Sequence, residues 1–193
     1  MTKRSTTALA LALACLSARA ARPQSEQPSP KLSAMYGARQ ALEDRLTVVE
    51  QQVVPAGDVM PEDKFGYAPT GGAFAGVRTF GEQLKHVAAS NWQIASKVLG
   101  EQPPAGTHDE IAPRSVRTKA EIMEYLRGSF ASLHRAIATV DDTNLMTPIA
   151  GLTGTWQRTR LGLITDAIAH SSDHYGQIVE YLRANGIVPP ASR

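Results

Sequence analysis

Apolar residues recur at helical spacing in four long segments of this 193-residue chain. Positions three and four apart share one face of a helix, so each segment can bury a single apolar side. The pattern predicts helices over about residues 31–54, 77–99, 118–140 and 157–185. No segment alternates in the manner of a strand. The expected fold class is therefore all-α, a four-helix bundle with long crossing loops.

Signals at the helix ends support this division. Thr118 and Glu121 match the capping box at the start of the third helix. Pro55 is expected to end the first helix, and Asn185-Gly186 to end the fourth with a left-handed cap. The first connection, PAGDVMPEDKFGYAPTGGAFAG, is long enough to act as a lid, and a mobile surface loop is the alternative. Such connections also allow consecutive helices to run parallel.

The N-terminus has the parts of a secretory signal peptide. Lys3 and Arg4 precede an apolar run over residues 8–16, and Ala18-Arg19-Ala20 follows as a cleavage pattern. The run is too short to span a bilayer, and no membrane span is expected elsewhere. We therefore predict a signal peptide over residues 1–20, export to the periplasm, a disordered polar leader over 21–30, and one domain over 31–193.

Cleavage would remove the only cysteine, Cys15, so a metal site in the mature chain must use histidines and carboxylates. A lipoprotein anchored through Cys15 is the less favoured alternative, because Ala12 stands where a lipobox prefers leucine. The mature chain would keep 17 of the 20 basic residues against 18 acidic ones. With that balance and no basic block, the sequence argues against a nucleic-acid partner.

Two histidines four residues apart, His170 and His174, share one face of the fourth predicted helix. That face lies on a flank that should contact another helix, where each ring nitrogen needs a partner. A shared divalent cation would provide one, and ordinary hydrogen bonds are the alternative. His86, on the polar side of the second helix, is either exposed or faces a cleft. His134 is a rival third ligand, and His108 is expected to be solvated.

The stretches RTFGEQLKHVAASNW, MPEDKFGYAPT and DAIAHSSDHYGQIVEYLRANGIVPP resemble the DinB/YfiT-like four-helix metalloprotein superfamily over nearly the whole mature chain. The family motif, one histidine on the second helix and His-x-x-x-His on the fourth, matches His86, His170 and His174. The resemblance implies a bundle whose three-histidine divalent site opens to a pocket, with the polar side of His86 turned towards the metal. It also implies a homodimer.

Three imidazole ligands leave at least one coordination position open, as in catalytic sites. Such a set suits Zn²⁺, Ni²⁺, Fe²⁺, Co²⁺ or Mn²⁺, and a bound water would have its pKa lowered towards neutrality. Ser171 stands where H-E-x-x-H metalloproteases carry glutamate, which argues against a peptidase. Glu82 and Asp166, each one turn before a motif histidine, are the candidate catalytic acids or bases. Solvated surface charges are the alternative for both.

The superfamily resembles thiol S-transferases and a thiol-dependent isomerase. In those enzymes a metal activates the thiol group of a small cofactor. Those enzymes work in the cytosol, so an exported member needs another nucleophile, and metal-bound water is the simplest. The sequence therefore predicts a divalent-metal-dependent enzyme with hydrolase-type chemistry on an unknown small molecule, with thiol S-transferase as a variant. A non-catalytic metal-binding or stress protein of the cell envelope is the alternative. A plain bundle with coincidental histidines is the third interpretation.

Overall fold

A computed structural model describes residues 37–109, 113–150 and 157–193. The expected all-α bundle is confirmed, because the described residues form four long helices: α1 (Ala38–Val59), α2 (Phe80–Leu99), α3 (Lys119–Ala138) and α4 (Arg160–Ala184). None of these helices is both long and apolar enough to cross a membrane. The predicted signal peptide (1–20) and leader (21–30) lie outside the described residues.

Side-chain caps start the helices that carry the histidines and their neighbours. Thr118 and Glu121 form the predicted capping box of α3. A second capping box starts α2: the Thr79 hydroxyl accepts from the amide of Glu82, and the Glu82 carboxylate accepts from the amide of Thr79. At the end of α4, Gly186 has a φ of 73°, the left-handed conformation predicted there. The helix ends nearest the site are therefore set by local sequence.

The prediction that Pro55 ends the first helix is wrong, because Pro55 lies inside α1. Proline removes one backbone hydrogen bond, yet the turn that follows is held by packing. Ala56 and Met60 are completely buried. A Cβ placed on Gly57 would lie 2.6 Å from the Met123 sulfur, so α1 and α3 approach closely here. Tertiary packing of this turn offsets the lost hydrogen bond.

A short antiparallel hairpin precedes α4, although the sequence predicted no strand. Its strands are β1 (Pro148–Ala150) and β2 (Gln157–Thr159), and Ile149 pairs with Arg158. Strands of three residues are too short to show an alternating pattern. Thr159 ends β2 and also caps α4, because its hydroxyl accepts from the amide of Gly162. The hairpin thus leads directly into the helix that carries two of the histidines.

The core lies between the helices, with α2 packed most extensively on α3 and α4 packed on both α1 and α2. Several large side chains are completely buried there: Phe80, Leu84, Leu126, Phe130, Ile164 and Ile178. Two aromatic residues of the α1–α2 connection, Phe65 and Tyr67, pack on this core, whereas residues 61–64 are exposed. Phe65 from that connection is buried and packs edge-on against Phe80, with ring centroids 5.3 Å apart.

A chain of buried polar side chains crosses the core from α4 to α3. Ser171 on α4 donates to Asn91 Oδ1 on α2 at 3.1 Å, and Asn91 Nδ2 donates to Ser129 on α3 at 3.4 Å. The Ser129 hydroxyl donates to the carbonyl of Leu126 at 2.7 Å. Ser171, Asn91 and Ser129 are completely buried. Because buried polar groups are costly without partners, this chain fixes how α4 sits against α2.

We expect Ser171→Ala to lower the free energy of unfolding by about 1–3 kcal/mol, because Asn91 Oδ1 loses its donor inside the core. The matched control is Ser172→Ala, since Ser172 is exposed and donates to a carbonyl of its own helix. Its effect should stay within about 0.5 kcal/mol. Urea unfolding followed by circular dichroism, in the presence of a chelator, measures both. Equal effects would contradict a role of this chain in holding α4.

Candidate metal centre

Three histidines meet between α2 and α4. His86 lies on α2, and His170 and His174 lie on α4. One ring nitrogen from each of the three residues lies within 4.8 Å of the other two. The ring centroids are 4.5 to 5.0 Å apart. The flank with His170 and His174 faces a neighbouring helix, as the spacing predicted. The sequence left His86 either exposed or facing a cleft. The structure supports the second interpretation, because His86 is half-buried beside His170 and His174.

The spacing of these nitrogens fits a shared cation. His170 Nε2 lies 3.2 Å from His86 Nε2. Two nitrogens bound to one tetrahedral Zn²⁺ at about 2.05 Å are about 3.3 Å apart, the edge of the coordination tetrahedron. The widest separation in the cluster exceeds this edge, and side-chain rotation can close the difference. The donor set and its spacing are thus compatible with a divalent cation, and the 3.2 Å separation is also that of a hydrogen bond between the two imidazoles.

The protonation states also fit metal binding, which requires neutral imidazoles. Burial lowers the pKa of His170 below its usual value. Burial, followed by the charges of His170 and His86, lowers the pKa of His174 to about 4. Both rings are therefore neutral at pH 7. In addition, His170 Nδ1 is buried without a hydrogen-bond partner among the described residues, so this ring still has an unsatisfied nitrogen.

A chain of amides assigns the proton on His174. Gln177 Nε2 donates to Asp173 Oδ2 at 3.1 Å, Gln83 Nε2 donates to Gln177 Oε1 at 2.9 Å, and Gln83 Oε1 lies 2.8 Å from His174 Nδ1. The Asp173 carboxylate can only accept, so it orients each amide in turn. Gln83 Oε1 must then accept from His174 Nδ1–H, which leaves the Nε2 lone pair available for a cation.

Sequence reasoning missed Gln83 and Gln177. Each lies three residues from a motif histidine, Gln83 before His86 and Gln177 after His174, so each is on the same helical face as that histidine. That spacing is the signal that could have found them. Polar residues one turn from a ligand are candidates for the groups that orient it.

A cavity of about 620 Å³, here called the site cavity, lies beside the cluster. The amides Gln83 and Gln177 form part of its wall, and Gln83 contacts His174 directly. The rest of the wall comes from the α1–α2 connection and the adjoining ends of α2 and α4. None of the three histidines lines the site cavity itself, so Gln83 is its contact with the cluster. A larger cavity of about 780 Å³ lies between α1 and α3.

The two candidate catalytic carboxylates lie in different surroundings. Glu82 is half-buried and lies in the wall of the site cavity, with its Oε2 accepting from the amide of Thr79 at 2.8 Å. Asp166 is about half exposed and lies 3.5 Å from Arg158 Nη1. It is not part of the cavity wall. A catalytic role for either residue stays a prediction, and Glu82 is the better placed of the two.

The structure does not bring His134 to the cluster. Its ring lies between two carboxylates of α1: Nδ1 is 2.6 Å from Glu43 Oε1, and Nε2 is 2.8 Å from Glu50 Oε2. Both ring nitrogens are thus engaged away from the other histidines. The rival assignment of His134 as third ligand is wrong, because this residue instead ties α3 to α1. His108 is exposed, as expected.

A four-helix bundle with three histidines converging between its second and fourth helices defines a class of candidate metalloprotein. The family model described as the DinB superfamily matches residues 34–178, so the chain belongs to that superfamily. This match confirms the resemblance inferred from the motifs. No curated protein matches the chain significantly.

Among solved structures, the fold is similar to the crystal structure of a DinB-like protein from Bacillus cereus ATCC 10987. The TM-score is 0.65, and the match covers 81% of this chain and 98% of that chain. The sequences are 18% identical. At that identity, the likeness shows the shared fold alone.

We expect Gln83→Leu to weaken metal binding about 10- to 100-fold, because His174 loses the acceptor that holds its Nδ1 proton. The matched control is Gln93→Leu on the same helix, whose side-chain amide donates to the carbonyl of Thr107 instead. Competition with a metal-binding dye of known affinity measures both variants. Unchanged affinity in Gln83→Leu would contradict a positioning role for Gln83.

His134 should stabilise the fold in a pH-dependent manner. Burial alone would lower its pKa, but the hydrogen bonds and charges of Glu50 and Glu43 outweigh burial and raise the pKa. A raised folded-state pKa gives stabilisation that is complete below the unfolded value of about 6.5 and is lost as the pH rises through the folded value.

His134→Gln should therefore lower the free energy of unfolding by about 1 kcal/mol near pH 5.5, and by less at pH 9, because the ion pairs are partly exposed. The control is His108→Gln, which changes an exposed histidine. Urea unfolding at both pH values gives the comparison. A deficit that is the same at both values would show that the charge on His134 does not contribute.

Proposed function

We propose that this protein is a divalent-metal-dependent enzyme with hydrolase-type chemistry on a small molecule. The observation that carries the proposal is the convergence of His86, His170 and His174, with one nitrogen from each within 4.8 Å. Membership of the DinB superfamily supports it, because DinB-like proteins often bind metal. The metal is a first-row divalent ion, with Zn²⁺, Ni²⁺, Fe²⁺, Co²⁺ and Mn²⁺ all compatible with three imidazoles.

The chain's own residues divide the work as follows. His86, His170 and His174 hold the cation, and Gln83 keeps the proton on His174 Nδ1. When bound, such a cation would polarise a substrate oxygen or lower the pKa of bound water towards neutrality. Glu82, in the wall of the site cavity, is the proposed proton acceptor, since only its Oε2 is engaged in capping α2.

Hydrolysis is preferred to thiol transfer because of the proposed location. A signal peptide over residues 1–20 would direct the protein to the periplasm, away from abundant cytosolic thiols. Water is then the available nucleophile. In the cytosol, the same site would serve a thiol S-transferase, with the cavity holding the thiol. We further propose that the active form is a homodimer, as the family resemblance implies.

One observation favours a non-catalytic metal-binding or stress protein of the cell envelope. Asp166 faces Arg158 outside the site cavity, and the Glu82 carboxylate is partly committed to the start of α2. With Ser171 in place of the metalloprotease glutamate, neither motif nor contact supplies a dedicated base. A protein that only stores or carries the ion needs none.

We expect the protein purified without a His tag to contain about one first-row metal per chain, the stoichiometry of a single three-histidine site. His170→Ala should lose it, whereas the control His108→Ala, which changes an exposed histidine, should keep it. Elemental mass spectrometry measures all three proteins.

No metal in any of them, even after incubation with Zn²⁺, Ni²⁺ and Mn²⁺, would overturn the metal-dependent function. If the metal is present, esters, amides and thiol conjugates are screened as substrates. Turnover that His170→Ala abolishes supports the enzyme, and tight metal binding without turnover supports the non-catalytic alternative.

A further inference from the structure

Arg78 lies in the wall of the site cavity, immediately before the residue that caps α2. Its Nε is buried and has no hydrogen-bond partner among the described residues. Of the carboxylates in the described part of the chain, none forms an ion pair with it. Its backbone is held in place, because Tyr181 on α4 donates to the Arg78 carbonyl at 2.8 Å. Within the described part of the chain, Arg78 is therefore anchored through its backbone, and its guanidinium has no ion-pair partner.

Arg78 shares a cavity wall with the amide that contacts the histidine cluster. Gln83 lines the site cavity together with Arg78, and Gln83 Oε1 lies 2.8 Å from His174 Nδ1. A group bound to Arg78 in this cavity would thus share a wall with the residue that orients His174.

The other charged side chains of the cavity wall already have partners. Glu180 accepts from Arg183 at 3.2 Å, and its side chain is 71% exposed. Glu82 accepts from the backbone at the start of α2, where the helix dipole also favours a negative charge. Arg78 is the charged residue of the described wall without a partner. A partly buried guanidinium in that position gains free energy from an incoming anion.

The guanidinium has the geometry to select its ligand. Its planar array of N–H donors matches the two oxygens of a carboxylate or phosphate, which bind it with charge-assisted hydrogen bonds. Apolar side chains form another part of the wall, including Val77 and Phe74, whose 45% exposure is high for a large apolar residue. The cavity thus combines one unpaired cation with an apolar surface.

We infer that the site cavity binds a small molecule that carries a carboxylate or phosphate on an apolar body, with Arg78 as the anchor for the anionic group. The inference deepens the proposed function, on which it rests, by naming the substrate class of that site. It assigns specificity to Arg78 and leaves the metal to the three histidines.

The test measures binding of benzoate and phenyl phosphate, with neutral benzamide as the reference, to the chelator-treated protein by calorimetry or NMR titration. Chelation first removes any direct contact between the probe and a metal. We expect at least one anionic probe to bind more tightly than benzamide. Arg78→Gln should weaken that probe about tenfold or more, the loss typical of a charge-assisted hydrogen bond, and should leave benzamide unchanged. Comparison of benzoate with phenyl phosphate decides between carboxylate and phosphate.

The matched control is Arg45→Gln, which makes the same change of charge at an exposed position on α1 and should not alter binding. Circular dichroism confirms that both variants are folded. Equal affinity for the anion in Arg78→Gln and the unaltered protein would overturn the inference, as would an equal loss in Arg45→Gln. No preference for either anion over benzamide in the unaltered protein would also overturn it.

Metal content, measured on portions of the same preparations that have not been treated with chelator, separates this inference from the proposed function. Arg78→Gln should retain its metal. If the protein takes up no metal but binds the anion through Arg78, the anion site is supported and the metal-dependent enzyme is contradicted. If the protein binds metal but shows no Arg78-dependent anion binding, the metal site is supported and the anion site is contradicted.

Discussion

The register between α2 and α4 is the constraint on which the site depends. A slide of one residue moves a helix by about 1.5 Å and turns its side chains by about 100°, enough to separate His86 from the α4 pair. Two polar contacts oppose such a slide. Ser171 bonds Asn91 in the core, and Gln83 bonds Gln177 beside the histidines. Hydrophobic packing alone tolerates small shifts, whereas these bonds are satisfied in one alignment.

The same contacts settle the chemical state of the site. An exposed carboxylate, Asp173, begins a chain of oriented amides that ends on a buried imidazole, His174. Because each amide has one donor end and one acceptor end, the orientation passes along the chain without ambiguity. The fold thereby presents a defined His174 tautomer to the centre. Structural and functional roles therefore coincide in Gln83, which joins two helices and orients one imidazole.

The sequence predicted the helices well, because each has a long apolar stripe, and it predicted the α3 capping box and the cap at Gly186. It was wrong at Pro55, where packing outweighed local propensity, and it missed a hairpin too short to show a pattern. A helical wheel for α2 could not place His86, because α2 packs on α3 and α4 together and so has more than one contacting side. The residues alone could not choose between His86 and His134 as the third ligand. The tertiary arrangement decides, because Glu43 and Glu50 engage His134.

The charge balance of the site links the cluster to its cavity. Imidazoles that ligate in the neutral form do not compensate a divalent cation, unlike carboxylate ligands. Arg78 adds positive charge in the wall of the site cavity, where Glu82 Oε2 and Glu180 are engaged by other groups. A cation held by the three imidazoles would keep much of its charge, offset in part by the Asp173 carboxylate, which acts against the burial that lowers the pKa of both histidines of α4. An anionic ligand on Arg78 would reduce the excess, so occupancy of the cavity and of the cluster should favour one another.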